Sequence, residues 1–127
     1  MPLLNWYKIY SVNNEEIDSH HKTLFDIFNR LYKHCIEKCD VDIIDKIIDE
    51  LISYSEYHFK AEEQYMIDVG YVGIEKHIVE HKYFTEKVLE FKQNLKNVDF
   101  EICKNLIVFL GNWLIHHVVE EDKKIAL

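Results

Sequence analysis

The sequence contains few residues that interrupt helices. Only three of its 127 residues are glycine, and the one proline, Pro2, stands at the start. Glycine and proline punctuate turn-rich β proteins, so their scarcity argues against that class and favours long helices. The length is suited to a single domain with a real core, and we expect residues 1–127 to form it.

Cysteine is also scarce and is poorly placed for cross-links. Cys35, Cys39 and Cys103 are odd in number and form no Cys-x-x-Cys motif. Cys35 and Cys39 are four residues apart on an expected helix, which is an unpromising geometry for a disulfide. The sequence therefore favours buried free thiols in a reducing cytoplasm.

Long apolar runs are missing as well. The N-terminus lacks the apolar stretch of a signal peptide, and no segment approaches the length of a transmembrane helix. We therefore expect a cytoplasmic protein that does not enter membranes. The formal net charge of −8 repels phosphate backbones and argues against nucleic acid as a partner. Most of the acidic residues fit a solvated surface, and some could belong to a cation site.

Four segments carry the three- and four-residue apolar spacing of amphipathic helices. Gly70 is a suitable stop after the second segment. Short connections between the segments predict an all-α fold, an antiparallel up-down-up-down four-helix bundle with an irregular N-terminal segment. Another all-α packing is the alternative, because periodicity alone does not distinguish them. The candidate N-terminal caps are Asn13 or Asn14, Asp40 or Asp42, and Asp99.

Polar residues stand at core positions on the apolar faces of all four segments. Burying each of them without a partner costs on the order of 1–3 kcal/mol, against a total stability of about 5–15 kcal/mol. A shared metal centre would remove this conflict, because all of these side chains could donate their lone pairs to its metal ions. The residues are His21, His58, Glu62, His77, His81 and His117.

Two of the spacings suit ligands of a common ion. His58 and Glu62 in HFKAE, and His77 and His81 in HIVEH, are each one helical turn apart. Imidazole and carboxylate without thiolate suit iron, manganese or zinc. One catalytic zinc takes about three protein ligands, too few for this set. Two metals bridged by carboxylates would use all of it, and the Glu-x-x-His pattern of ferritin-like proteins is absent.

The C-terminal stretch WLIHHVVEED leaves the choice of acid open. His117 continues the apolar stripe of the fourth segment, whereas His116 does not. Glu121 lies one turn beyond His117, and Asp122 lies about 140° around an ideal helix from it. Helical spacing therefore favours His117 over His116 as a ligand, and it does not favour Asp122 over Glu121.

These motifs resemble the hemerythrin family, specifically its single-domain bacteriohemerythrins, along nearly the whole chain. IDSHHKTLF is similar to I-D-x-Q-H-K-x-L-F, and HIVEHKYF to H-x-x-x-H-x-x-F. HFKAE is similar to H-x-x-x-E, and WLIHHVVEED to W-L-x-x-H-x-x-x-x-D. His20 replaces the usual glutamine, and with His34 and His116 it is expected at the surface or beside the ligands. The resemblance implies seven metal ligands: His21, His58, Glu62, His77, His81, His117 and Asp122.

The resemblance further implies a cofactor of two non-haem iron ions, a di-iron centre with an oxo or hydroxo bridge. Glu62 and Asp122 would bridge the irons, and Asp122 at this spacing requires a local distortion of the helix end. Dioxygen binds in the family at the one open coordination position, on the iron with two histidines. One iron would take His77, His81 and His117, and the other His21 and His58. Candidates for an apolar lining are Ile17, Leu24, Phe25, Phe59 and Leu114.

Reversible dioxygen binding for carriage, storage or delivery is therefore the expected function, without enzymatic activity. One alternative is oxygen or redox sensing through a separate protein partner, whose identity the sequence does not give. The other is a di-iron enzyme acting on peroxide or nitric oxide. The fifth histidine and the H-x-x-x-x-D ending resemble oxygen carriers and favour binding over catalysis.

Overall fold

Four long helices follow the four amphipathic segments of the sequence. The structure, a computed structural model, describes residues 4–37, 40–95 and 100–124, without the side chains of residues 100, 119–121 and 123. Helix α1 spans Glu15–Glu37, α2 spans Val41–Val69, α3 spans Ile74–Gln93 and α4 spans Phe100–Ile115. No strand occurs in this part of the chain. The predicted all-α class is confirmed.

Polar side chains cap the first two helices. Asn14 Oδ1 accepts a hydrogen bond of 3.2 Å from the backbone N–H of Ile17. Asp40 Oδ1 accepts hydrogen bonds of 3.0 and 3.4 Å from the N–H groups two and three residues later. Each cap satisfies donors that the start of a helix leaves without an intrahelical partner. Asp99, the predicted cap of α4, lies outside the described residues.

Helix α2 ends at a residue in the left-handed backbone region, as its glycine predicted. Gly70 has φ 67° and ψ 39°. Its N–H donates to the carbonyl of Ile67 at 3.1 Å, and the N–H of Tyr71 donates to the carbonyl of Met66 at 2.9 Å. This pair of bonds is a Schellman motif, which satisfies the last carbonyls of the helix.

The helices enclose one apolar core. Helix α1 packs against α2 and α4, and α3 closes the bundle against the same two helices. The connections between neighbours are short, which gives the predicted antiparallel order. Cys35 and Cys103 are buried, as predicted, and Cys39 lies outside the described residues. Fully buried core side chains include Leu24, Phe28, Leu31, Ile44, Ile48, Leu51, Phe84, Leu106, Leu110 and Leu114.

The irregular N-terminal segment lies against α1. The Asn29 side chain donates to the carbonyl of Leu4 at 2.7 Å and accepts from its N–H at 2.9 Å. The Trp6 ring packs edge-on against Phe25 and Tyr10, with centroids 5.8 and 5.7 Å away. These contacts place Trp6 over one end of the bundle interior.

None of the described helices is both long enough and apolar enough to cross a bilayer.

Replacing Gly70 with alanine should lower the free energy of unfolding by about 1–2 kcal/mol, because the left-handed conformation is strained for a residue with a Cβ. A Cβ placed there meets no atom within 4 Å, so the loss comes from the backbone alone. Urea denaturation followed by circular dichroism measures it. Gly70→Asn is the control and should lose less, since asparagine tolerates this region. An alanine variant as stable as the parent chain would contradict this explanation.

Candidate metal centre

The seven predicted ligand residues meet inside the bundle. Each of them is 2% exposed or less. His21 comes from α1, one histidine and one glutamate come from α2, and α3 contributes two histidines. The last two, His117 and Asp122, lie just beyond α4. All four helical segments thus contribute to one buried cluster of imidazoles and carboxylates.

Glu62 lies at the middle of this cluster and divides the histidines into two groups. Its Oε2 is 3.2 Å from His58 Nε2 and 3.7 Å from His21 Nε2. Its Oε1 faces three other Nε2 atoms, at 2.7 Å for His77, 3.0 Å for His81 and 3.4 Å for His117. Because each oxygen faces a different group, the carboxylate is oriented as a bridge between two positions.

The second carboxylate also spans both groups. Asp122 Oδ1 is 2.8 Å from His77 Nε2. Its Oδ2 is 2.6 Å from His21 Nε2 and 3.0 Å from His117 Nε2. Oδ2 of Asp122 therefore contacts one histidine of each group, and Oδ1 contacts the group of three.

A local change of helix type brings Asp122 to the centre. Residues His116–Glu121 form a π-helix, and the N–H of Asp122 donates to the carbonyl of His117, five residues earlier. In an α-helix residues five apart diverge by about 140°, whereas a π turn closes its hydrogen bond between them. His117 and Asp122 can therefore face the same interior. The distortion expected at this helix end is present.

Several atoms of the cluster approach one another without forming proper hydrogen bonds. Burial of such unpaired atoms costs about 1–3 kcal/mol each. The donor atoms form two sets with separations within 4.8 Å, and Glu62 and His117 belong to both. Nitrogen and oxygen donors without sulfur suit iron, manganese or zinc, so the residues fit metal ions. The orphaned atoms are Nε2 of His21, His58 and His117, Oε2 of Glu62 and Oδ2 of Asp122.

Comparison with known proteins agrees with this geometry. The sequence pattern of the hemerythrin HHE cation binding domain matches residues 12–126. The chain belongs to the hemerythrin family. A bacteriohemerythrin of Clostridium acetobutylicum is 34% identical over 125 residues, which cover 94% of this chain and 95% of the relative. A bacteriohemerythrin of Methylococcus capsulatus is 29% identical over 124 residues, 97% of this chain and 94% of the relative.

Solved hemerythrin structures have the same fold. A wild-type hemerythrin crystal structure superimposes with a TM-score of 0.84 at 27% identity, covering 98% of this chain and 95% of the other. This similarity confirms the four-helix bundle predicted from the sequence. The buried cluster therefore lies in a hemerythrin fold whose family pattern is named for cation binding.

The two carboxylates determine the charge of this hemerythrin-family cluster without metal. Burial opposes protonation of His117, but attraction by Asp122 and Glu62 outweighs it and raises its pKa to about 10. Burial likewise opposes protonation of His77, and hydrogen bonds to the same carboxylates raise its pKa to about 9. At His58 burial dominates and lowers the pKa to about 4. Without metal, the cluster therefore holds protons on some imidazoles and not on others at neutral pH.

Aromatic rings stack on two of the predicted ligand imidazoles. The Phe59 ring stacks on His81 with centroids 3.9 Å apart, and the Trp113 ring stacks on His117 at 4.4 Å. The spacing of Trp113 and His117, one helical turn apart, is a sequence signal for the second contact. The first contact joins α2 to α3, so the sequence contains no local signal for it.

The histidines excluded from the ligand set have different surroundings. The side chain of His116 is 47% exposed and lies 3.9 Å from Glu80. His20 is buried, with 4% exposure, and its Nδ1 is 3.1 Å from Nδ1 of His58. His20 therefore lies beside a predicted ligand, and His116 lies at the surface.

Replacing His117 should cost far more metal than replacing its neighbour. We expect His117→Ala to weaken metal binding by at least the roughly 10–100-fold that loss of an outer partner typically causes. His116→Ala is the matched control and should retain the metal content of the parent chain. Elemental analysis after dialysis measures both. Equal losses in the two variants would show that the wrong histidine has been assigned.

Metal binding at pH 7 should release at least about two protons per chain, because His77 and His117 must lose theirs to coordinate, and the raised pKa of His21 adds to the release. Both pKa values lie above 7, so the two histidines are protonated before metal binds and become neutral only as the pH rises through 9 to 10. Proton release should therefore shrink, and metal affinity should grow, over that rise. Ferrous titration of the metal-free protein with a pH indicator, without oxygen, measures it. Release that is absent at pH 7 would contradict these charge states.

Proposed function

We propose that this hemerythrin-family protein binds dioxygen reversibly at a non-haem di-iron centre with an oxo or hydroxo bridge. The proposed role is oxygen carriage, storage or delivery. The observation that supports it is the unequal division of five histidines by the two oxygens of Glu62. A metal held by fewer protein ligands keeps a coordination position for an external molecule. Two bound ferrous ions would supply the two electrons that dioxygen accepts on binding.

In this proposal every polar residue of the cluster is a ligand. Glu62 and Asp122 would hold both irons, since the carboxylate of each lies against histidines of both groups. None of the seven side chains is then left as a general acid or base, so we propose a binding protein and not an enzyme. The irons would be held by His77, His81 and His117 on one side and by His21 and His58 on the other.

The residues around His21 would keep water from the open position. The Trp6 ring lies 6.4 Å from the His21 ring and packs against Phe25. Leu24 and Leu114 are 1% and 0% exposed. Exclusion of water from a site suppresses side reactions of bound species, which favours reversible binding. Phe59 stacks on His81 with centroids 3.9 Å apart, and its ring also lies 5.6 Å from that of His58, so it contacts both histidine groups.

The proposed location is the cytoplasm, where thiols remain reduced. The side chains of Cys35 and Cys103 are buried, which suits such a compartment. Oxygen sensing through a separate protein partner would use the same binding step and would differ from carriage only in that the partner responds to the bound state.

Reduced, iron-loaded protein should develop a visible absorption band on mixing with air, and the band should disappear on deoxygenation over repeated cycles. His116→Ala should behave like the parent chain, and His117→Ala should show little of the band because it retains little iron. Direct conversion to an oxidised spectrum, with no oxygenated spectrum before it, would contradict reversible binding. Elemental analysis should find about two irons per chain. One zinc without iron would contradict the di-iron assignment.

A further inference from the structure

Two predicted ligand histidines contact outer partners of opposite kind. His58 Nδ1 lies 3.1 Å from Nδ1 of His20, a second imidazole. His81 Nδ1 lies 2.9 Å from Oε2 of Glu63, a carboxylate. In both ligands the other nitrogen, Nε2, faces Glu62 inside the cluster. One histidine group is thus supported by a neutral ring and the other by an acid.

Metal binding by His58 would determine which of the two imidazoles donates the hydrogen bond and which accepts it. If His58 gives its Nε2 lone pair to a metal, its proton must reside on Nδ1. The Nδ1–H group of His58 then donates the hydrogen bond, and the lone pair on Nδ1 of His20 must accept it. His20 in turn carries its own proton on Nε2, which lies 3.9 Å from Oε1 of Glu16. A single hydrogen bond therefore defines the tautomers of both rings.

The side chain of His20 is buried and flanked by two tyrosine rings, which restrict its orientation. It is 4% exposed. The Tyr57 ring lies 4.9 Å from its ring, and the Tyr54 ring meets it edge-on at 5.9 Å. Locked rotamers of this kind let an outer residue orient a ligand. His20 stands where the family pattern has glutamine, whose side-chain oxygen is also an acceptor.

Glu63 supports His81 in a different way. A carboxylate that accepts a hydrogen bond from a ligand imidazole makes that imidazole a stronger donor to its metal. Charge-assisted hydrogen bonds are about twice as strong as neutral ones. The Glu63 side chain is 31% exposed, so solvent screens part of its charge. The group of three histidines nevertheless has an anionic partner where His58 has a neutral one.

We propose that His20 and Glu63 are positioning residues that support the two ends of the centre unequally. His20 orients His58 without adding charge. Glu63 orients His81 and also stabilises positive charge on the metal that His81 holds. The inference depends on the proposed metal centre and does not depend on dioxygen binding.

The first test measures how fast the protein loses cobalt(II) to a chelator. His20→Leu removes the acceptor and should accelerate the loss by roughly tenfold or more, since lost outer partners typically cost 10–100-fold in affinity. His20→Gln restores an acceptor and should stay within about threefold of the parent chain on the same scale. Equal rates for the leucine variant and the parent would overturn the role of His20. Cobalt needs neither iron nor oxygen, so the outcome is separate from that of the proposed function.

The second test measures the midpoint reduction potential of the iron-loaded protein. Glu63→Gln should raise it, because the more positive oxidised state loses a nearby negative charge. Glu56→Gln is the matched control. Glu56 lines the same surface groove as Glu63, but Glu63 is the residue whose carboxylate is hydrogen-bonded to His81. His20→Gln should leave the potential near that of the parent chain. Equal shifts for Glu63→Gln and Glu56→Gln would overturn the role of Glu63.

A third measurement requires no substitution, so it tests the hydrogen bond between His58 and His20 even if His20→Leu does not fold. In nitrogen-15-labelled, zinc-loaded protein, an N–H···N hydrogen bond between His58 and His20 should give a nitrogen–nitrogen coupling and a strongly downfield proton. A His58 Nδ1 proton that exchanges rapidly with water, without that coupling, would overturn the proposed contact.

Discussion

The structure depends most on the buried carboxylate of Glu62, toward which the Nε2 atoms of five histidines are directed. Without metal, burial works against its ionisation, but His117 and the neighbouring histidines hold its pKa well below the usual range. Such a cluster is a poor source of stability, because desolvation of buried charges offsets much of their attraction. The leucines, isoleucines and phenylalanines in the rest of the bundle must therefore stabilise the fold, while the cluster confers the capacity to bind metal.

The constraint imposed by Glu62 extends to the backbone beyond α4. A second carboxylate is useful only if it reaches both histidine groups, and from an α-helical position after His117 Asp122 would point away. The π turn of His116–Glu121 removes that conflict at the expense of regular geometry. Lone π turns often occur at functional sites for this reason. Rings stacked on His81 and His117 then limit how far the imidazoles can rotate.

Local patterns predicted most of the fold because they follow from helix geometry. Asn14, Asp40 and Gly70 act where their side chains or conformational freedom suggest. Periodicity was less accurate at the margins of a buried face. Steps of three and four residues back from His117 lead to Ile107, which is only partly buried, whereas its neighbour Leu106 is 1% exposed. Adjacent residues differ by about 100° in direction, so the exact centre of a face depends on the neighbouring helices.

The sequence by itself determined the helices, the class of the fold and six of the seven candidate ligands, because spacing and residue type are local properties. The family resemblance was needed to select Asp122, since regular helical geometry favours Glu121. Only the tertiary structure decided which oxygen of Glu62 faces which histidine, and that His20 and Glu63 lie behind different ligands. Those contacts join α1 to α2 and α2 to α3 over separations of 38 and 18 residues. They depend on how the helices rotate and pack, which the periodicity of a single helix does not specify.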